Sequence, residues 1–267
     1  TGANVAVTDE DAIDLGASTV SGTYGITATA GDITDSGVLA ITGATTLTAA
    51  SGQSITLDSA STYSSTVAFS SGGTLANVTI DDSTALDLAA LTLSGNLSVT
   101  SGGNITDSGV LNITGTSSFT TDVSNSIITL NNTNILTGTV SLNTTGAAAN
   151  ATIDNGTTAL NIAASTVGGN LTVTAGDSIT DSGIITVSGT ASFTTDTSDK
   201  LITLNSENAI TGQVTFDTTS TGGDVIFNNG TTAISLGTIA SGDIGGDLTL
   251  LTDADQTISN AITLGGS

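Results

Sequence analysis

Gly95-Asn96-Leu97-Ser98-Val99-Thr100-Ser101-Gly102-Gly103-Asn104-Ile105-Thr106-Asp107-Ser108-Gly109 holds the pattern that decides the fold. Leu97 and Val99 flank a Ser, and Ile105 stands beside Thr106 and Asp107. Apolar and polar residues alternate over three to five positions, the period of a half-buried strand. Between these short runs lie Gly, Asn, Asp and Ser, which form tight turns and cap them with side-chain oxygens. Outward from this stretch the same triplets continue: Leu86/Leu88, Leu91/Leu93, Leu111/Ile113, Ile128/Leu130, Val140/Leu142 and Ala151/Ile153. No window places apolar residues at helical spacing, and Glu occurs only at Glu10 and Glu207. The chain reads as all-β.

The stretch is also duplicated. Gly103 to Gly109 returns as Gly31-Asp32-Ile33-Thr34-Asp35-Ser36-Gly37, and as Gly176 to Gly183 with one inserted residue. Asp35, Asp107 and Asp181 recur at intervals of 72 and 74. Val7, Ile80, Ile153 and Phe227 follow at 73, 73 and 74, and Leu15, Leu88, Ile162 and Leu236 at 73, 74 and 74. Ser118-Phe119-Thr120-Thr121-Asp122 recurs as Ser192-Phe193-Thr194-Thr195-Asp196. Such agreement marks tandem duplication of a unit of about 73 residues. Sandwich domains and propeller blades call for more aromatics than the seven present, Tyr24, Tyr63, Phe69, Phe119, Phe193, Phe216 and Phe227. A right-handed parallel β-helix needs only one small aliphatic per inward position, and the absence of Pro suits a ladder in which nearly every strand is central. Residues 1–267 are therefore read as one β-solenoid segment. Each unit is expected to make three or four coils of roughly 18–25 residues, and the rod to be about 55–65 Å long.

Composition narrows function. The 267 residues carry 24 acidic side chains, one Lys, no Arg and no His, for a net charge of −23. Nucleic-acid binding and attraction to anionic lipid both need Lys or Arg. Zinc and haem sites need Cys or His, and neither residue occurs. No apolar run approaches a membrane span of about 18 residues. The positive mean hydropathy of +0.30 argues against disorder.

The carboxylates remain as candidate chemistry. Asp9, Glu10 and Asp11 cluster, Asp81 adjoins Asp82, and Asp253 is near Asp255. They suggest at most weak peripheral calcium, since no calcium-loop motif accompanies them. Asp81, Asp154 and Asn228 exchange acid for amide between units, as do Asp58, Asn131 and Asn205. A turn cap tolerates that exchange and a proton-transferring acid does not, so no catalytic, cofactor or metal residue is assigned. Asp107 is read in the same way, as a turn residue replaceable by Asn. Asn-x-Ser/Thr occurs at Asn77, Asn96, Asn104, Asn112, Asn131, Asn143, Asn150, Asn155, Asn170 and Asn229. Composition alone generates the motif, and glycosylation is the competing reading. Thr pairs such as Thr27/Thr29, Thr46/Thr48 and Thr172/Thr174 invite an ice-binding reading, but triplet spacings of five to twelve positions oppose a regular array. A polysaccharide-active enzyme would need a cleft with bases and large aromatics.

Segments such as Gly95 to Thr100, Gly103 to Gly109 and Gly169-Asn170-Leu171-Thr172-Val173-Thr174 resemble the repeat regions of filamentous-haemagglutinin-like exoproteins. The resemblance spans nearly the whole chain and is one of repeat style. It implies a β-helical shaft, secretion to a bacterial or archaeal surface, and adhesion or filament formation. Host or cell-surface glycans and proteins would be its partners. The Asn-Pro-rich motif of that family's secretion domain does not occur in this Pro-free chain, and no functional residue carries over. The expected function is that of a structural, non-enzymatic adhesin shaft or a self-assembling filament subunit. Thr1 to Val5 begins inside a repeat, and Gln256 to Leu264 still reads as strand. Continuation by more chain, or by another copy stacked head to tail, is expected at both ends.

Overall fold

A computed structural model describes residues 3–219, 222–240 and 242–255. The strand reading of Gln256 to Leu264 lies outside these residues. Every described element is a strand, and every strand pairing is parallel. No helix among the described residues is long and apolar enough to cross a membrane.

Two long ladders run along the solenoid. The first has 12 strands, from Val5–Asp9 through Tyr24–Ala28, Leu86–Leu88 and Leu171–Ala175 to Ser235–Leu236. The second runs from Ile13–Leu15 through Ile55–Tyr63, Val78–Asp82, Leu97–Ser101 and Thr139–Asn143 to Leu248–Leu251. Short third strands, such as Ser18–Val20, Leu91–Leu93 and Ser165–Val167, round the corner between them. Between paired strands the shortest coils advance the numbering by 19, as from Val5 to its partner Tyr24, and the longest by 23, as from Ile105 to Ile128. Strands hold register while solvent-facing turns absorb most of the difference. Ile55–Tyr63 is the exception, where a bulge shifts the pairing with Val78–Asp82 between Ile80 and Asp82.

Most coils join one five-residue strand to two shorter ones. In the first unit the five-residue strands are Val5–Asp9, Tyr24–Ala28, Thr45–Ala49 and Val67–Ser71, all in the first ladder. The next strand, Val78–Asp82, is again five residues long but lies in the second ladder. Two long strands in succession thus carry the chain halfway around. The same happens at Thr139–Asn143 followed by Ala151–Asp154, and at Gln213–Asp217 followed by Val225–Asn228. The duplicated unit is therefore three and a half coils, and equivalent residues alternate between opposite sides of the rod. Ile33 lies in the second ladder, Ile105 in the first and Ile179 in the second.

Outward-facing hydroxyls show the alternation residue by residue. Thr34, Thr56, Thr79, Ser98, Ser118 and Ser141 stack in register along the second ladder. Their equivalents Thr106, Thr129, Thr152, Thr172, Ser192 and Thr215 stack along the first. Each file begins at an aspartate, where Thr34 Oγ1 donates to Asp14 at 3.3 Å and Thr106 Oγ1 to Asp87 at 3.1 Å. Uneven spacing in the sequence does not break these files, since the extra residues lie in turns or, in Ile55–Tyr63, in a bulge beyond Thr56.

Inward positions form one continuous core from Leu15 to Ile244. Strands such as Leu97–Ser101 bury alternate residues, which in β structure project to the same face. Phe119 and Phe193 are both 0% exposed, as the period-2 reading requires. Phe193 stacks on Phe216 with ring centroids 5.9 Å apart, and Phe216 meets Phe227 at 5.4 Å. Burying each such side chain stabilises the fold by about 1.5–3 kcal/mol.

Candidate functional site

Inside the corners, polar side chains take the place of a strand's backbone. Asn134, Asn155, Asn208 and Asn229 are at most 1% exposed. The Oδ1 of each accepts an N–H from the coil before it, from Leu111, Leu136, Ile185 and Ile210 respectively, at 2.7–2.8 Å. Buried polar groups are tolerated only when paired, and these amides pair donor and acceptor together. Two of them, Asn155 and Asn229, belong to the Asn-x-Ser/Thr motifs. Their Nδ2 atoms donate to Leu136 O and Ala159 O, and to Ile210 O and Ala233 O. Glycan attachment at these two in the folded chain is excluded by burial. The exposed Asn77, Asn96, Asn104, Asn150 and Asn170 instead hold the next coil's N–H through Oδ1, at 2.8–3.0 Å.

Asp107 and Asp181 connect to this amide series. Asp107 Oδ1 accepts the Asn131 N–H at 3.1 Å, while Oδ2 accepts Asn132 N–H at 3.4 Å and Asn134 Nδ2 at 2.8 Å. Asp181 repeats all three bonds with Asn205, Ser206 and Asn208. The reading of Asp107 as freely replaceable by Asn is thereby corrected. An amide has one acceptor oxygen where three donors converge, and Asn134 cannot rotate to compensate because its Oδ1 holds Leu111. Asp107→Asn is expected to cost about 1–3 kcal/mol in denaturant unfolding. An unchanged midpoint would show that the cradle contributes nothing.

The other carboxylates do not converge. Asp11 N–H closes a turn on Asp9 Oδ1 at 3.0 Å, and Asp253 and Asp255 are both exposed. Asp81 and Asp82 are neighbours in one strand and so face opposite ways, Asp82 being 0% exposed and Asp81 outward. They cannot chelate one ion together. Among the described residues, no three His, Cys, Asp or Glu side chains are grouped to hold a metal ion. Asp154 and Asn228 each accept an N–H two residues on, from Gly156 at 2.8 Å and Gly230 at 3.0 Å. Acid and amide perform the same turn bond there.

Surface electrostatics follow the half-turn alternation. Partial burial, then neighbouring carboxylates with Asp122 first among them, hold the Asp81 carboxyl above its ordinary value. On the opposite side, burial and then Asp154 and Asp217 do the same for Asp196. Lys200 lies 3.1 Å from Asp177, whose carboxyl is lowered first by the Ser178 N–H and then by Lys200. This pair is solvated and contributes about 0–1 kcal/mol at most. Among the described residues, an open groove of about 510 Å³ is lined by Tyr63, Ser64, Ser65, Thr66, Thr84 and Asp87, and brings one carboxylate together with hydroxyls.

These features define a β-solenoid repeat protein whose polar interior is built for coil-to-coil bonding. Residues 2–70, 75–143 and 148–217 each match one family, described as repeats of unknown function (DUF5649). The chain belongs to that family. The three matches fall on the three-and-a-half-coil units, from one long strand to the fourth. No curated protein and no solved structure matches the chain.

Proposed function

We propose that the chain is a non-enzymatic, cofactor-free shaft of an extracellular filament or large surface adhesin, carried on a bacterial or archaeal cell. The observation behind this reading is the pair of parallel ladders that continue from coil to coil through every junction between units. The ladder bonds lie in the walls of the rod and run roughly along its axis, so axial tension is shared among the bonds that join neighbouring coils. The net charge of −23 keeps neighbouring shafts apart through repulsion that salt screens within about 10 Å at 0.1 M. Surface glycans or proteins would be contacted by what the shaft carries. The shaft would extend through further chain or by axial stacking of copies.

Antibody labelling of intact cells tests the location, and in-frame removal of residues 75–147 tests the shaft role. The label should decorate the outside of cells, and removal should shorten the projecting structure and weaken attachment. Label found only after cells are opened, or attachment unaltered when the whole chain is deleted, would overturn the proposal. A self-assembling filament without receptor binding is the alternative, and purified protein forming fibres while mutant cells attach normally would favour it.

A further inference from the structure

One position recurs at the junctions between units, as Asp9, Asp82, Asn155 and Asn229. Asn155 replaces a strand residue in miniature. It accepts from Leu136 N–H at 2.8 Å and donates to Leu136 O at 3.1 Å and Ala159 O at 2.7 Å. Asn229 does the same to Ile210, at 2.8 and 3.0 Å. Asp82 pairs with Ser61 in the strand below, and its side chain reaches Tyr63 in the equivalent place. Its Oδ1 accepts Tyr63 N–H at 3.4 Å, together with the Thr84 N–H and hydroxyl at 2.9 Å each. Its Oδ2 is buried and has no partner. By equivalence with Asn155, that oxygen falls where an amide N–H₂ donates to the carbonyl of the coil before it. An ionised oxygen buried at that place would face a carbonyl oxygen instead of a donor, which strongly disfavours the charge.

We infer that Asp82 takes up a proton in the folded protein and, as a carboxylic acid, donates it to the Tyr63 carbonyl, making a pH-sensitive lock between consecutive coils. The groups around it offer no positive charge that would hold the anion. Tyr63 and Asp58 come from the strand below, Asp35 from the strand beneath that, Asp87 from the following strand and Asp81 from its own. Its partner on the strand above is Ser101, which carries no charge. The Tyr63 phenol is itself raised, first by burial, and stays neutral. Burial is also the largest influence on Asp82 and raises its carboxyl above the ordinary value, against the opposing Thr84 and Tyr63 bonds. A carboxyl raised on folding adds stability that is complete below its unfolded value and is lost as pH rises through its folded value.

The test compares thermal unfolding of the wild type, Asp82→Asn and the reciprocal Asn155→Asp between about pH 4 and about pH 8. Wild-type melting should fall as pH rises. Asp82→Asn should flatten that fall and melt about 2–4 °C above wild type at the upper end. Asn155→Asp should resemble wild type in acid and lose stability progressively as pH rises. Difference infrared spectra above the unfolded carboxyl value should show a protonated-carboxyl stretch that Asp82→Asn removes. If Asp82→Asn melts below wild type at every pH, or Asn155→Asp is equally destabilised throughout, the lock does not exist. If Asp82→Asn does not fold, the infrared band and the reciprocal variant decide: a missing band with a pH-independent Asn155→Asp overturns the inference.

Discussion

Phe193→Ala is expected to lower unfolding stability by about 3–5 kcal/mol. The ring is 0% exposed, stacks on Phe216 and sits between Val173 of one coil and Phe216 of the next. A solenoid core is one side chain thick at each level, so neighbours above and below cannot collapse inward without breaking ladder bonds. The cavity should therefore stay open. Thr194, one residue on, faces outward, and Thr194→Ala should change stability by no more than about 0.5 kcal/mol. Guanidinium unfolding followed by circular dichroism measures both. If Phe193→Ala cost no more than its neighbour, the core described above would be wrong at this level.

Gly189→Ala should also be severe, for the opposite reason. Gly189 N–H donates to Gly169 O at 3.0 Å, and Gly212 N–H donates to Gly189 O at 3.0 Å. A methyl group here would lie 2.6 Å from Gly169 O and 2.8 Å from its carbonyl carbon. Those atoms are backbone and cannot turn aside as a flexible side chain could. Two coils would have to separate, at a cost of about 1–3 kcal/mol or more. Gly16, which has no heavy atom within 4 Å of the same position, is the control, and Gly16→Ala should be nearly silent. Equal effects at Gly16 and Gly189 would mean that the close approach of the coils does not limit the fold.

Much of the architecture is legible in the residues themselves. Triplets such as Leu97-Ser98-Val99 declare strands, and the alternation alone turns Phe119 and Phe193 inward. The three-or-four-coil expectation brackets the observed three and a half without resolving it. A repeat counts residues, whereas the fold counts turns. Only the observed coil step of 19 to 23 shows that each unit ends on the opposite side of the rod from where it began. The paired five-residue strands Val67–Ser71 and Val78–Asp82 are the visible trace of that half turn.

The polar interior is harder to see. Asn155 and Asn229 look like surface motifs, because Asn before Gly and Thr is also how a turn is written. Their burial follows from strand parity: counting by twos from Ala151 or Val225 places both on the inward face. The same count separates Asp82 from Asp81, which proximity in sequence groups as a possible calcium pair. Asp107 escapes for another reason. Its donors come from Asn131, Asn132 and Asn134, a full coil away, where sequence proximity gives no hint.

The half-turn unit has a consequence for how such a gene can lengthen. Unequal recombination between copies adds or removes about 73 codons. The ladders remain unbroken, because either side of the rod accepts the incoming strand. Each event changes the reach by about 17 Å, three and a half strand spacings of roughly 4.8 Å. It also swings whatever lies beyond the insertion to the opposite side. Two alleles differing by one copy would therefore present a distal module in opposite directions, while alleles differing by two would present it alike and farther out.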